Sequence, residues 1–106
     1  MYMFLNTGYN YLNVDLGNLS NWNTINVTNM ENMFWYAGMY SNSFNIGDIS
    51  EWNTGNVTNM TGMFGHTAIN AIYNLDLSSW DVSKVTNYEN FNSEVESKVT
   101  PPNFGA

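Results

Sequence analysis

A thirteen-residue pattern recurs along this chain and narrows the available folds more than any other property, since a fixed period of about 20 to 50 residues marks a protein built by stacking one unit. Trp22-Asn23-Thr24-Ile25-Asn26-Val27-Thr28-Asn29-Met30-Glu31-Asn32-Met33-Phe34 returns as Trp52-Asn53-Thr54-Gly55-Asn56-Val57-Thr58-Asn59-Met60-Thr61-Gly62-Met63-Phe64. It returns again, altered, as Trp80-Asp81-Val82-Ser83-Lys84-Val85-Thr86-Asn87-Tyr88-Glu89-Asn90-Phe91. Successive Trp residues lie 30 and 28 positions apart, and Met3-Phe4 precedes Met33-Phe34 by 30. The 106 residues read as one repeat domain: a partial first repeat or N-terminal coil over 1–11, repeats over 12–41, 42–71 and 72–92, and a C-terminal cap over 93–106.

Each unit divides into two halves. Thr28 with Glu31, and Thr86 with Glu89, match the capping box that satisfies the free amides of a helix start. Met30, Met33, Phe34 and Ala37 then follow at the i, i+3, i+4, i+7 spacing of a buried helical stripe, and Gly38 stops it. The second unit repeats this with Met60, Met63, Phe64 and Thr67. The spacing predicts short helices at about 29–36, 59–66 and 87–92. Before each Trp the pattern is that of a short strand: Val14, Leu16, Leu19 and Trp22 align with Phe44, Ile46, Ile49 and Trp52, then with Ile72, Leu75, Leu77 and Trp80. Neither element buries its face alone. Stacked copies do, with parallel strands about 4.8 Å apart and columns of Val27, Val57 and Val85, Met, Phe and Trp forming one core.

The pattern W-[DN]-T-x-N-V-T-N-M-x-x-M-F, with a following L-x-L-S-x-W, resembles the repeat of BspA-like leucine-rich-repeat surface proteins, a type found in mycoplasma lipoproteins and wall-anchored bacterial proteins. The match covers residues 12–92. It implies an α/β fold, a right-handed leucine-rich-repeat-type solenoid of about three coils plus caps, displayed outside the cell, with adhesion or host interaction as the usual role and no catalytic residues. The family's unit is usually about 25 residues, whereas these span 28 to 30. The extra length falls at 35–45 and 65–73, where insertions in solenoids build binding surfaces. The last unit loses its Met-Phe pair to Phe91-Asn92 and runs into Pro101-Pro102, which reads as a cap because Pro cannot extend strand pairing.

Charge and composition remove several function classes. The formal net charge is −7, with Lys84 and Lys98 the only basic residues, so nothing neutralises a phosphate backbone and nucleic acid is a poor partner. The longest apolar runs are four or five residues, too short to insert in a membrane. With no Cys there is no disulfide framework, thiolate zinc site or cysteine nucleophile. Twenty residues are Asn, a turn, cap and left-handed residue. Seven of them, Asn23, Asn53, Asn26, Asn56, Asn29, Asn59 and Asn87, recur at fixed offsets from Trp.

The candidate sites weigh toward structure. The columns Asn29, Asn59, Asn87 and Thr28, Thr58, Thr86 read as caps and inter-coil hydrogen bonds rather than a ligand ladder. Asn18, Asp48 and Asp76, with Asn23, Asn53 and Asp81, offer oxygens to Ca²⁺ but lack the clustered carboxylates of a calcium loop and read as solvated turn residues. Trp22, Trp52 and Trp80 repeat, as packing residues do. Trp35 does not repeat. With Tyr36, Tyr40, Tyr9 and Tyr11 it makes a candidate aromatic contact patch, against the alternative that at least half of these rings pack in the core, and His66, the single histidine, reads as an exposed insertion residue rather than a general base. The expectation is an extracellular recognition or adhesion module, with no enzymatic activity and no cofactor, that binds a host or cell-surface protein or glycan through Trp35, Tyr36, Tyr40 and His66. The alternative is a structural spacer or stalk that self-associates through its N-terminal coil.

Overall fold

The computed structural model describes the backbone of residues 13–15 and residues 17–104. The N-terminal coil over 1–11, with Met3, Phe4, Tyr9 and Tyr11 and the self-association assigned to it, lies outside the described residues. Four short strands are present: β1 (Asn13–Asp15), β2 (Ser43–Asn45), β3 (Leu75–Asp76) and β4 (Val99–Thr100). β1 pairs with β2 in parallel, Val14 opposite Phe44, and β3 pairs with β4 in parallel, Leu75 opposite Val99. The two pairs are separate sheets. Asn29, Asn59 and Asn87 form parallel bridges in sequence, so equivalent positions of the three repeats lie side by side.

The strand half of the third repeat departs from the alignment expected of it. Ile72, expected to face inward like Phe44, is 97% exposed. Tyr73 takes its place, its ring 5.3 Å from that of Phe44. The step from Trp52 to Trp80 is two residues shorter than that from Trp22 to Trp52, and the shift falls here. β3 consequently begins beyond the reach of β2 and pairs with β4 in the tail, where the Leu75 amide donates to Lys98 O and the Leu77 amide to Thr100 O.

No α-helix occurs among the described residues. Hydrogen-bonded turns replace all three expected helices, and the amide bonding explains why. Along 30–41 the amides of Met33, Trp35, Ala37, Met39 and Ser41 close i→i+3 turns on Met30, Asn32, Phe34, Tyr36 and Gly38 carbonyls. The amides between them cross to the next repeat: Met30 to Asn59 O, Asn32 to Thr61 O, Phe34 to Met63 O and Tyr36 to Gly65 O, at 2.8–3.0 Å. Repeat two does the same toward repeat three, from Met60, Gly62, Phe64 and His66 to Asn87, Glu89, Phe91 and Ser93. An α-helix consumes every amide within itself. The turns leave alternate amides to join repeats and still bury the same stripe.

The turns closed by Met33, Ala37, Met63, Thr67, Phe91 and Val95 have left-handed backbone at their third position. Asn32, Gly62 and Asn90 have φ of 54°, 63° and 59°, and Tyr36, His66 and Glu94 have 60°, 57° and 69°. Asn and Gly enter this region at little cost. That the second trio holds Tyr, His and Glu shows the conformation to be imposed by stacking rather than chosen by the residue.

The core follows the columns read from the pattern, except that Trp22, at the end of the Trp column, is 39% exposed and Ile72 faces out. Met30, Met33, Phe34, Met60, Met63, Phe64 and Val57 are buried, and Val27 and Val85 pack partly against them. Phe34 stacks on Phe64 at 5.1 Å and 13°, and Phe64 meets Phe91 edge-on at 5.6 Å. In the tail, Phe104 packs on Tyr88 at 4.4 Å and on Phe91 at 5.1 Å, while Asn92 Nδ2 donates to Val99 O.

Candidate functional site: an aromatic cluster on stacked repeats

The repeats are pinned by three rows of side chains. Trp22, Trp52 and Trp80 stack at 6.1 and 6.2 Å with planes within 8°. Trp52 Nε1 donates to Leu19 O and Trp80 Nε1 to Ile49 O, each one repeat back, which satisfies the polar end of a buried ring. Thr24 and Thr54, both buried, donate one repeat forward, to Asn53 O and Asp81 O at 2.9 Å. The Thr58 and Thr86 hydroxyls donate back to Thr28 O and Thr58 O at 3.1 and 3.3 Å.

The Asn row works through its own turns. Asn29 Oδ1 accepts the Glu31 amide and Asn59 Oδ1 the Thr61 amide. In the first repeat Asn29 therefore does the local capping that the sequence assigned to Thr28, while the Thr58 and Thr86 hydroxyls serve the joints between repeats. Glu31 turns outward to its neighbour, its carboxylate accepting from Asn59 Nδ2 at 3.2 Å. Asn18, Asp48 and Asp76, and Asn23, Asn53 and Asp81, each accept the amide two residues on. The Ser50 and Ser78 hydroxyls hold Asp48 and Asp76 below the ordinary aspartate value, with the Ser amides adding to it, and the Ser83 amide does so first at Asp81. These oxygens are already committed to backbone.

The structure brings together three of the four contact residues named from the sequence. Trp35 lies 5.1 Å from Tyr36 and 5.2 Å from His66, edge-on to the latter, and Tyr36 lies 4.9 Å from His66. All three are half-buried. Tyr40, 52% exposed, lies four residues beyond Tyr36 on the same turn stretch. Among the described residues His66 Nδ1 is buried with no hydrogen-bond partner, an arrangement that costs about 1–3 kcal/mol and that the fold must offset elsewhere.

Trp35 is more than a surface residue. A Cβ on Gly65 would stand 2.3 Å from Trp35 Cε3, and one on Gly62 would stand 3.0 Å from the same atom. The indole therefore lies directly on the backbone of the next repeat. Gly62 and Gly65 stand where the first repeat has Asn32 and Trp35, and this large-for-small exchange across the repeat was the available sequence signal for the seat. Ile72, the most exposed large apolar residue described, was missed because the repeat alignment placed it in the core.

The geometry defines a repeat protein whose units are joined by backbone crossings and by rows of Trp, Thr and Asn. The chain belongs to the family described as Mycoplasma protein of unknown function, DUF285, whose model matches residues 1–100. No curated protein and no solved structure matches it.

Proposed function

We propose that this chain is a non-catalytic extracellular recognition module, a right-handed leucine-rich-repeat-type solenoid of the BspA-like kind, displayed on a bacterial surface as part of a lipoprotein or adhesin. Its ligand is a protein or glycan on a host or neighbouring cell. The parallel pairing of equivalent positions 28 to 30 residues apart supports the solenoid reading, with tandem turns standing where helices were expected. The observation that carries the functional reading is the contact of Trp35, Tyr36 and His66 on adjoining repeats, half-exposed and held by fixed backbone. Rigid aromatic groups of this kind anchor interfaces at low entropic cost.

The test spares Trp35, which supports the fold. Tyr36→Asn, which keeps a residue suited to the left-handed backbone, is combined with Tyr40→Ser and measured for binding to host cells and matrix. The reading expects a loss of about tenfold or more, the size of a hot-spot truncation, with an unchanged circular dichroism spectrum. Unchanged binding with the fold intact refutes it.

A further inference from the structure

The third repeat ends the crossings on one side only. Its amides at Tyr88, Asn90, Asn92 and Glu94 are the counterparts of Met60, Gly62, Phe64 and His66, which all donate to the following repeat. Among the described residues no acceptor is bonded to these four. They form a row of backbone donors at alternate residues on an exposed edge, beside a hollow lined by Thr61, Thr86, Asn87, Tyr88 and Glu89.

The other parts of that end are closed. β3 already has β4 as its partner, and Pro101-Pro102 follows. At the position of Thr24 and Thr54, whose hydroxyls reach the next repeat, the third repeat has Val82, which has no hydroxyl to offer. Phe104 occupies the space over Tyr88 and Phe91. A whole further repeat is therefore not what the edge is built to receive. A short segment carrying carbonyls at alternate residues fits it, by the same main-chain pairing through which sheet edges capture peptides.

The first repeat shows what the segment's leading side chain meets. Met30 donates to Asn59 O while Asn59 Nδ2 reaches back to the Glu31 carboxylate. Glu89 is the counterpart of Glu31, so the residue whose carbonyl receives the Tyr88 amide brings its side chain to Glu89. Glu94 and Glu96 are exposed farther along the same stretch, while Lys84 and Lys98 are engaged by Asn56 Oδ1 and Ala71 O. A second copy of this chain, at net charge −7, meets repulsion there.

We infer that the edge formed by the Tyr88, Asn90, Asn92 and Glu94 amides, with Glu89 beside it, binds a linear peptide segment of a partner protein that is led by a Lys or Arg. This surface is separate from the Trp35–Tyr36–His66 cluster and does not depend on it.

The probe is the acetylated, amidated octapeptide of residues 59–66 carrying Asn59→Lys, titrated into the full chain against the same peptide carrying Asn59→Glu. The expected result is slowed hydrogen exchange at Tyr88, Asn90, Asn92 and Glu94, tighter binding of the Lys peptide, and a loss of up to about fivefold for the Lys peptide in Glu89→Gln, the range of an exposed ion pair. Equal affinities for the two peptides, or protection of other amides only, overturn the proposal. Protection of the four amides that rises with protein concentration and without peptide also overturns it, in favour of a second copy.

Discussion

Replacing Thr54 by Val removes one hydroxyl with almost no change of volume, so the response reads the forward hydrogen bond to Asp81 O with little packing error. The bond is 2.9 Å long and part-buried. A net hydrogen bond contributes about 0.5–1.5 kcal/mol, and leaving a buried acceptor unpaired costs about 1–3 kcal/mol. Asp81 is an exposed residue, so water reaches part of its carbonyl and the lower end applies, about 1 kcal/mol. For a domain of this size that lowers the melting temperature by about 4–8 °C. Thr24→Val, which loses the equivalent bond to Asn53 O, should fall by a similar amount. The reciprocal change, Val82→Thr, adds a hydroxyl at the same place in the third repeat, beyond which no repeat stands among the described residues, and should stay within about 0.5 kcal/mol of the parent. Thermal and urea denaturation followed by tryptophan fluorescence distinguish these outcomes. A Thr54→Val variant as stable as the parent, or a Val82→Thr variant stabilised by 1 kcal/mol or so, refutes the account of Thr as a directional joint with the third repeat as its terminus.

Phe64 is fully buried between Phe34 and Phe91, and Phe64→Ala should cost about 3–5 kcal/mol, enough to unfold much of the population at 37 °C by circular dichroism. Gly65→Ala drives a methyl into Trp35 and should cost about 1–3 kcal/mol; the double variant with Trp35→Ala should lose less than the sum of the singles, and strict additivity in urea melts would place the indole elsewhere. Acid should weaken the fold through Asp48, Asp76 and Asp81. Their native pKa values lie below the ordinary 3.8, so their contribution is present above that value and is lost as pH falls below it through the native values. Replacing all three by Asn, which keeps the turn acceptor without a titrating group, should flatten the melting temperature against pH in that window, and an unchanged acid slope argues against the turns as its source. Tyr73, its hydroxyl donated to Thr67 O at 2.6 Å and its pKa raised far above the ordinary 10.0 by burial, should stay un-ionised in an ultraviolet titration carried well past pH 10.0, and its ionisation at that pH would refute the burial.

The repeat alone determined most of the inside, Ile72 and Trp22 excepted. A side chain recurring at a constant offset from Trp must meet its own copy, and only apolar or mutually hydrogen-bonding columns tolerate that, so Met30, Met60, Phe34, Phe64, Trp52 and Val57 were legible as core before any backbone was known. The sequence could not say what backbone carried them. The spacing of Met30, Met33, Phe34 and Ala37 fits one face of a helix and one face of tandem turns equally, because both close a loop about every three to four residues. The choice was made between repeats, where alternate amides gain a partner only if the chain gives up helical bonding, and that gain exists in no single unit. The same is true of the candidate site. Trp35 and Tyr36 stand out as aromatics outside the repeat, but the seat on Gly62 and Gly65 and the neighbouring His66 depend on the contact between two successive repeats, and the outward turn of Ile72 on the shorter step to the third. Local pattern fixed the inventory of the core; contacts 28 to 30 residues apart in sequence decided the conformation, the joints and the exposed edge.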